Sequence, residues 1–291
     1  MTIDDATPPA THEEFAHQEF APPEAWDAIA ADYAAFVAPG EEAIANAALR
    51  LVGLGRGERF LDVAAGTGGL SLPAARLGAT VLATDWSASM ISQFERRVSI
   101  EGLTQATGRV MDAHQLALED DQFDVTGSQF GVMLVPDQPS ALREMVRVTR
   151  PGGRVLLIAY GPPAEFEALQ FFIAALQCVV PEFEGLPDDP APLEFQVADP
   201  EVMRQRLSEA GLRDVQVDTS HQERVEFCSG DDCWKWMRSS NPIVDMILSE
   251  ITAQQQETVR EVLHGMIRER AQDRDCATLT APLNIGYGWK L

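Results

Sequence analysis

The run Asp62-Val-Ala-Ala-Gly-Thr-Gly-Gly69 sets one acid ahead of three glycines within eight residues. Glycines at that spacing let the backbone turn tightly and approach a ligand closely. The acid before them can accept hydrogen bonds or face a cation. Two more acids, Asp85 and Asp112, fall where the next two strands are expected to end. The two acceptor oxygens of Asp85 suit a ribose diol, and a carboxylate at 112 suits an exocyclic amine. Taken singly, each acid reads equally well as a helix cap, and Gly66-Thr-Gly68 alone reads as a degraded dinucleotide fingerprint. Taken together, three acids at the carboxyl ends of three successive strands surround one crevice. So many carboxylates favour a ligand carrying an ammonium and a sulfonium over one carrying a pyrophosphate.

The elements that must position these residues follow from pattern. Arg59–Val63 is a short strand, the glycine run a turn, and Leu70–Leu77 a helix. Thr80–Thr84, Thr107–Met111, Phe123–Phe130 and Arg154–Tyr160 read as further strands, with helices over Ser87–Ile100 and Pro139–Val148 and a tight turn at Pro151-Gly-Gly. Strands alternating with helices imply βαβ units and a parallel sheet covered on both faces. Upstream, Trp26, Ile29, Tyr33 and Phe36 recur at helical spacing, and Pro39-Gly40 is expected to stop that helix before a second one over Glu41–Leu54. Beyond Tyr160 come an apolar helix (Phe166–Val180), a proline-rich loop, a helix over 199–210, a strand over Asp214–Thr219, helices over 229–240 and 243–272, and a closing strand, Thr278–Trp289.

From Phe60 to Tyr160 the chain resembles the core of class I S-adenosylmethionine-dependent methyltransferases, in particular the group containing the ubiquinone/menaquinone C-methyltransferases. That group reads Leu-Asp-x-Gly-x-Gly-x-Gly at its first motif; here the run is Leu61-Asp62-Val63-Ala64-Ala65-Gly66-Thr67-Gly68, with Ala64 at the first glycine. Asp85-Trp86-Ser87 with Met90, Asp112-Ala113, Phe123-Asp124-Val125 and Arg147-Val-Thr-Arg-Pro-Gly-Gly-Arg-Val match the later motifs in order. The resemblance implies a Rossmann-like α/β fold: a seven-stranded, mostly parallel sheet with its last strand antiparallel, helices on both faces and helical lid insertions. It implies S-adenosyl-L-methionine as cofactor. Asp62, Ala64 and the Gly66-Thr67-Gly68 backbone would hold the methionine part, Asp85 the ribose, and Asp112 and the Ala113 N–H the adenine. Trp86 would cover an adenine face beside Met90, with Gln129 and Phe130 near the methyl group.

Such a cofactor carries its own leaving group, so the protein mainly positions reactants and excludes water. A base is required only for a protic acceptor. Tyr33 and His114 are the catalytic candidates, with His221 behind them. Trp26, Tyr33 and Phe130 are the candidates for touching substrate, and the aromatics of the added helical segments suggest an apolar pocket beneath a lid. The expected acceptor is a small, partly apolar metabolite whose C, O, N or S acceptor atom stays open. A non-methylating cyclase or regulatory protein on the same scaffold stays open too, and an NAD-dependent dehydrogenase stands further back.

Composition narrows the partners. The 291 residues carry a net charge of -23, which repels phosphate backbones and anionic lipid surfaces. Nucleic acid and membrane partners are therefore not expected; a homodimer is left open. No apolar stretch reaches membrane-spanning length, and the first twenty residues lack a basic start or an apolar run, so a cytoplasmic protein is expected. His12 and His17 are spaced one residue too far apart for a zinc-binding helix pair, and no metal site is expected. The four cysteines, Cys178, Cys228, Cys233 and Cys276, read as reduced thiols. The expected organisation is one structural domain: segment 1–20, mobile; 21–160, N-terminal helices and cofactor core; 161–198, an insertion; and 199–291, completion of the sheet around a second helical insertion.

Overall fold

A computed structural model describes residues 21–187 and 189–291; the expectations for 1–20, including His12 and His17, lie outside the described residues. The chain enters through helix α1 (Pro23–Asp32), whose Pro23 occupies a first-turn position that needs no N–H partner. Pro39-Gly40 does not end it. A π-helical turn over Tyr33–Val37 leads straight into α2 (Ala38–Leu51), where Pro39 again lies in the first turn. The π turn absorbs the change of hydrogen-bond register that the proline imposes, so the expected break becomes a bulge, and Tyr33 opens it.

β1 (Arg59–Val63) is buried at every position after Arg59, as befits an inner parallel strand. The glycine turn and α3 (Ser71–Arg76) return the chain to β2 (Thr80–Asp85). α4 (Ala88–Glu101) starts at Ser87, whose Oγ accepts the Met90 N–H, and stops at Gly102 in the left-handed conformation. β3 (Ala106–Val110), β4 (Phe123–Gln129), α5 (Gln138–Val148), capped by Asp137, and β5 (Thr149–Tyr160) complete the parallel part. α6 (Glu167–Val179), α7 (Pro200–Glu209) and β6 (Leu212–Asp218) follow.

Strand order is β3-β2-β1-β4-β5, then the final strand β8 (Ala277–Lys290), then β6. β1, β2, β3, β4 and β5 pair in parallel, and β8 runs antiparallel to both β5 and β6, as the resemblance implied. One strand is additional to the seven expected. β7 (Gln222–Phe227) pairs antiparallel with the first half of β8, which makes the sheet eight-stranded. Gln222-Glu-Arg-Val-Glu-Phe is too polar to announce a strand; it forms because the long β8 offers it an open edge.

The expected helix over 243–272 is two helices. After α8 (Gly230–Ser240), Asn241 caps α9 (Pro242–Ser249). A reciprocal Thr252–Gln255 capping box then restarts the chain as α10 (Ala253–Ala271). The expectation of four thiols is also corrected: Cys228 and Cys276 form a disulfide, while Cys178 is free and exposed and Cys233 free and buried. Their neighbours Phe227 and Ala277 are partners in the β7–β8 register. The pairing of two strands thus brings together residues 48 apart in sequence, which no short-range cysteine pattern could reveal.

Two apolar clusters result. One joins the sheet to its covering helices through residues such as Phe60, Phe94 and Leu156. The other joins α6, α8, α9 and α10 to the β7–β8 extension through Phe172, Trp236, Leu263 and Leu279.

Candidate active site

Strand order reverses between β1 and β4, and ligands of open α/β sheets bind outside the carboxyl ends at such a point. A cavity of about 1660 Å³, mouth included, opens there. Its walls include Trp26, Tyr33, Asp62, Ala64, Gly66, Asp85, Trp86, Met90, Asp112, Ala113, Gln129 and Phe130. The three carboxylates singled out by spacing therefore face one space. Thr67, Gly68 and His114 are not among the lining residues.

Asp62, next to last in β1, is fully buried. Ser71 Oγ donates to its Oδ2 at 2.6 Å, while Oδ1 is buried with no hydrogen-bond partner. Burial, opposed by the Ser71 bond and reinforced by Asp85 and Glu41, pushes its carboxyl up to about 7. Asp85 accepts the Gly66 N–H at 2.8 Å and the Ser87 N–H at 2.9 Å, tying the glycine turn to the end of β2. Burial still lifts its carboxyl to about 6. Asp112 is exposed at the mouth, and its Oδ1 accepts the His114 N–H at 2.9 Å.

The backbone is bent to fit. Ala64, which stands at the family's first glycine, takes φ 53, a left-handed value that a Cβ disfavours. At Gly69 a Cβ would fall 2.2 Å from Glu41 Oε2, so a side chain there would have to displace the Glu41 carboxylate. Thr67 and Gly68 serve the turn from behind: the Thr67 carbonyl accepts from Arg97 Nη1 at 3.0 Å, and Gly68 packs against Phe94. His114 is engaged at both ring nitrogens, Nδ1 with Asp112 Oδ1 at 2.7 Å and Nε2 with the Asp137 N–H at 3.3 Å. His221 lies near Asp218 (3.7 Å) and is likewise absent from the lining.

Three side chains that sequence reading passed over, Glu41, Tyr160 and Glu194, line the same space. Glu41, buried on α2, accepts from Tyr33 Oη at 2.5 Å. Burial pushes it up to about 7, and burial beside Glu41 holds the Tyr33 phenol well above its usual range. Tyr160, at the end of β5, stacks between Phe130 (centroids 4.6 Å apart) and Phe166 (4.5 Å). Its hydroxyl donates to the buried Glu223 of β7 at 3.0 Å. Glu194 lines the wall formed by the helical additions. Tyr160 had a sequence signal, a polar group at a strand's carboxyl end like Asp62 and Asp85. Glu41 and Glu194 had none, because an acid at a helix start or in a proline-rich loop reads as solvated.

The residues fit the cofactor that the motifs imply. Asp62 Oδ1 and Gln129 Oε1 are buried acceptors without partners, both on the cavity wall, in a setting of raised carboxyls that a cation would relieve.

Comparison with known proteins agrees. Residues 61–157 match the family model described as a methyltransferase domain. An uncharacterized protein of Mycobacterium tuberculosis is 44% identical over 108 residues, 37% of this chain and 39% of that one. The demethylmenaquinone methyltransferase of Beutenbergia cavernae is 40% identical over 129 residues, 44% of this chain and 52% of that one. The matched region thus spans about half or less of these relatives' length. In fold, the chain is similar to the YcgJ protein from Bacillus subtilis, with TM-score 0.54, 16% identity, and 83% of this chain and 95% of that one covered. It is also similar to phosphoethanolamine N-methyltransferase 2 of Haemonchus contortus, with TM-score 0.52, 18% identity, and coverage of 85% and 52%. Strand order, motifs and family match converge on one likeness: segment 61–157 of this chain matches a methyltransferase domain, and the stretch shared with the demethylmenaquinone methyltransferase makes that group the one it resembles.

Proposed function

We propose that this chain transfers a methyl group from S-adenosylmethionine to a small, partly apolar metabolite. One observation carries the reading: a single cavity joins the acid-lined carboxyl edge of the sheet to an apolar chamber walled by α6, α8 and α9. When bound, the cofactor supplies an electrophilic methyl group on a positively charged sulfur. Asp62 and the Gln129 carbonyl oxygen would hold its cationic part. Asp85 would hold the ribose, and Asp112, Ala113, Trp86 and Met90 the base.

The Phe130–Tyr160–Phe166 stack lines the same cavity and would help to exclude water from the reacting groups. Tyr33 would handle the proton of a protic acceptor. Its own hydroxyl stays neutral and donates to Glu41, so a proton arriving at Tyr33 Oη can leave to the Glu41 carboxylate.

Calorimetric titration with S-adenosylmethionine tests the reading, and no heat at millimolar ligand would overturn it. Asp85→Ala, which removes the ribose acceptor and frees the Gly66 and Ser87 N–H groups, is expected to weaken binding on the order of a hundredfold. Incubation with metabolite extract and labelled cofactor then identifies the acceptor.

A further inference from the structure

The apolar chamber contains one carboxylate remote from the glycine turn. Glu194 sits on the short helical turn Leu193–Phe195. It is enclosed by protein yet keeps some accessible surface, and the space it lines is the cavity. Its Oε2 accepts from Asn241 Nδ2 at 3.1 Å. Asn241 is itself fixed, since its Oδ1 caps α9 through the Ile243 N–H at 3.0 Å. Oε1 of Glu194 has no hydrogen-bond partner among the described residues. The same cavity is lined by Phe172, Phe183, Trp236 and Ile247, and burial pushes the Glu194 carboxyl up to about 7.

The turn is held from below. Gln138 Nε2 donates to the Leu193 carbonyl at 2.8 Å and to the Met133 carbonyl at 2.6 Å. Arg206 Nη1 donates to Gln138 Oε1 at 2.5 Å. Asn284 Nδ2 donates to the Val197 and Ala198 carbonyls at 3.1 and 2.7 Å. A carboxylate that only capped a helix would need neither enclosure nor so rigid a support. An acid that lines a largely apolar chamber with one oxygen unpaired within the protein offers an acceptor that a ligand can satisfy.

We infer that Glu194 and Asn241 form the specificity anchor of the acceptor pocket, selecting an apolar substrate that presents one hydrogen-bond-donating group, an amine ahead of a hydroxyl. This rests on the methyltransferase reading of the same cavity. The anchor holds the end of the substrate that is not methylated, and the aromatic walls receive the rest. A protonated amine pairs with the ionised carboxylate, and a hydroxyl donates to Oε1 without charge.

The test uses the full chain saturated with S-adenosylhomocysteine and three probes of similar shape: phenylbutylamine, phenylbutanol and butylbenzene. Tryptophan fluorescence reports binding, since Trp236 lines the chamber. The expected order is amine, then alcohol, then hydrocarbon, with the amine bound on the order of tenfold to a hundredfold tighter than butylbenzene. Glu194→Gln should remove most of that advantage while butylbenzene still binds. Equal affinities for amine and hydrocarbon in the wild-type protein overturn the inference, as does an undiminished preference in the variant. Should Glu194→Gln not fold, the wild-type series decides alone. If S-adenosylhomocysteine gives no binding heat, the methyltransferase reading fails separately, and the same probe series without it still decides the anchor.

Discussion

Three buried acids, Asp62, Asp85 and Glu41, have carboxyls raised to about 6 or 7, and this fixes a pH dependence at the scale of single residues. Below about pH 4 these groups carry their protons in both folded and unfolded chains. As pH rises towards 7 the unfolded chain releases them first, so the ligand-free protein loses stability across that window. The ion-paired acids with lowered values, such as Glu101 and Glu144, have the opposite dependence but complete it below about pH 4.5. The melting temperature of the ligand-free protein is therefore expected to fall between about pH 5 and 7.5. Affinity for S-adenosylhomocysteine, whose ammonium needs ionised partners, should rise over the same interval. A flat profile for both would show that these carboxyls do not share the cation. Tyr33→Phe removes the hydroxyl that donates to Glu41; with a protic acceptor it should lower kcat by roughly a hundredfold and raise cofactor Kd far less. Loss of kcat and affinity in equal measure would make Tyr33 a packing residue.

At the scale of elements, the β1 and β4 turns meet where the sheet order reverses. A Cβ on Gly131 would lie 2.4 Å from the Ala64 carbonyl oxygen and 2.6 Å from its Cβ, and backbone on one side leaves no flexible group to yield. Gly131→Ala is expected to destabilise the chain by roughly 1–3 kcal/mol, read as a lower urea midpoint, and to weaken cofactor binding because Ala64 lines the cavity. Unchanged stability would mean that the two turns separate freely. The parallel core was legible because its strands are short apolar runs closed by acids and glycines, a pattern local in sequence. β7 was not, since Glu223 and Glu226 within it read as solvent-facing; the edge of β8 recruits it from far along the chain. The π turn at Tyr33 hid behind Pro39-Gly40, which locally reads as a stop. Among site residues, the acids at strand ends could be placed by topology alone. Glu41 and Glu194 gain their roles only from the packing of α2 onto the glycine turn and of the Leu193–Phe195 turn onto α5.

Across the whole molecule, the disulfide joins the two strands between which α8, α9 and α10 are inserted. Closing a loop of that size restricts the unfolded chain by about 4 kcal/mol, so a reductant should lower the melting temperature and Cys276→Ser should reproduce the shift. Equal melting with and without reductant would deny the bond a stabilising role. The charge of -23 adds self-repulsion, which salt screens. The clasped insertion also has a consequence for diversification. Trp236, Asn241 and Ile247 reach the chamber from a segment that leaves and re-enters the sheet through one strand pair, whereas Asp62, Asp85 and Asp112 come from the opposite half of the chain. Replacing the stretch from 229 to 275 with a different helical cassette would change the chamber wall while the acid-lined edge of the sheet stays in place, so on the proposed function acceptor choice could be altered by exchanging one hairpin-borne module.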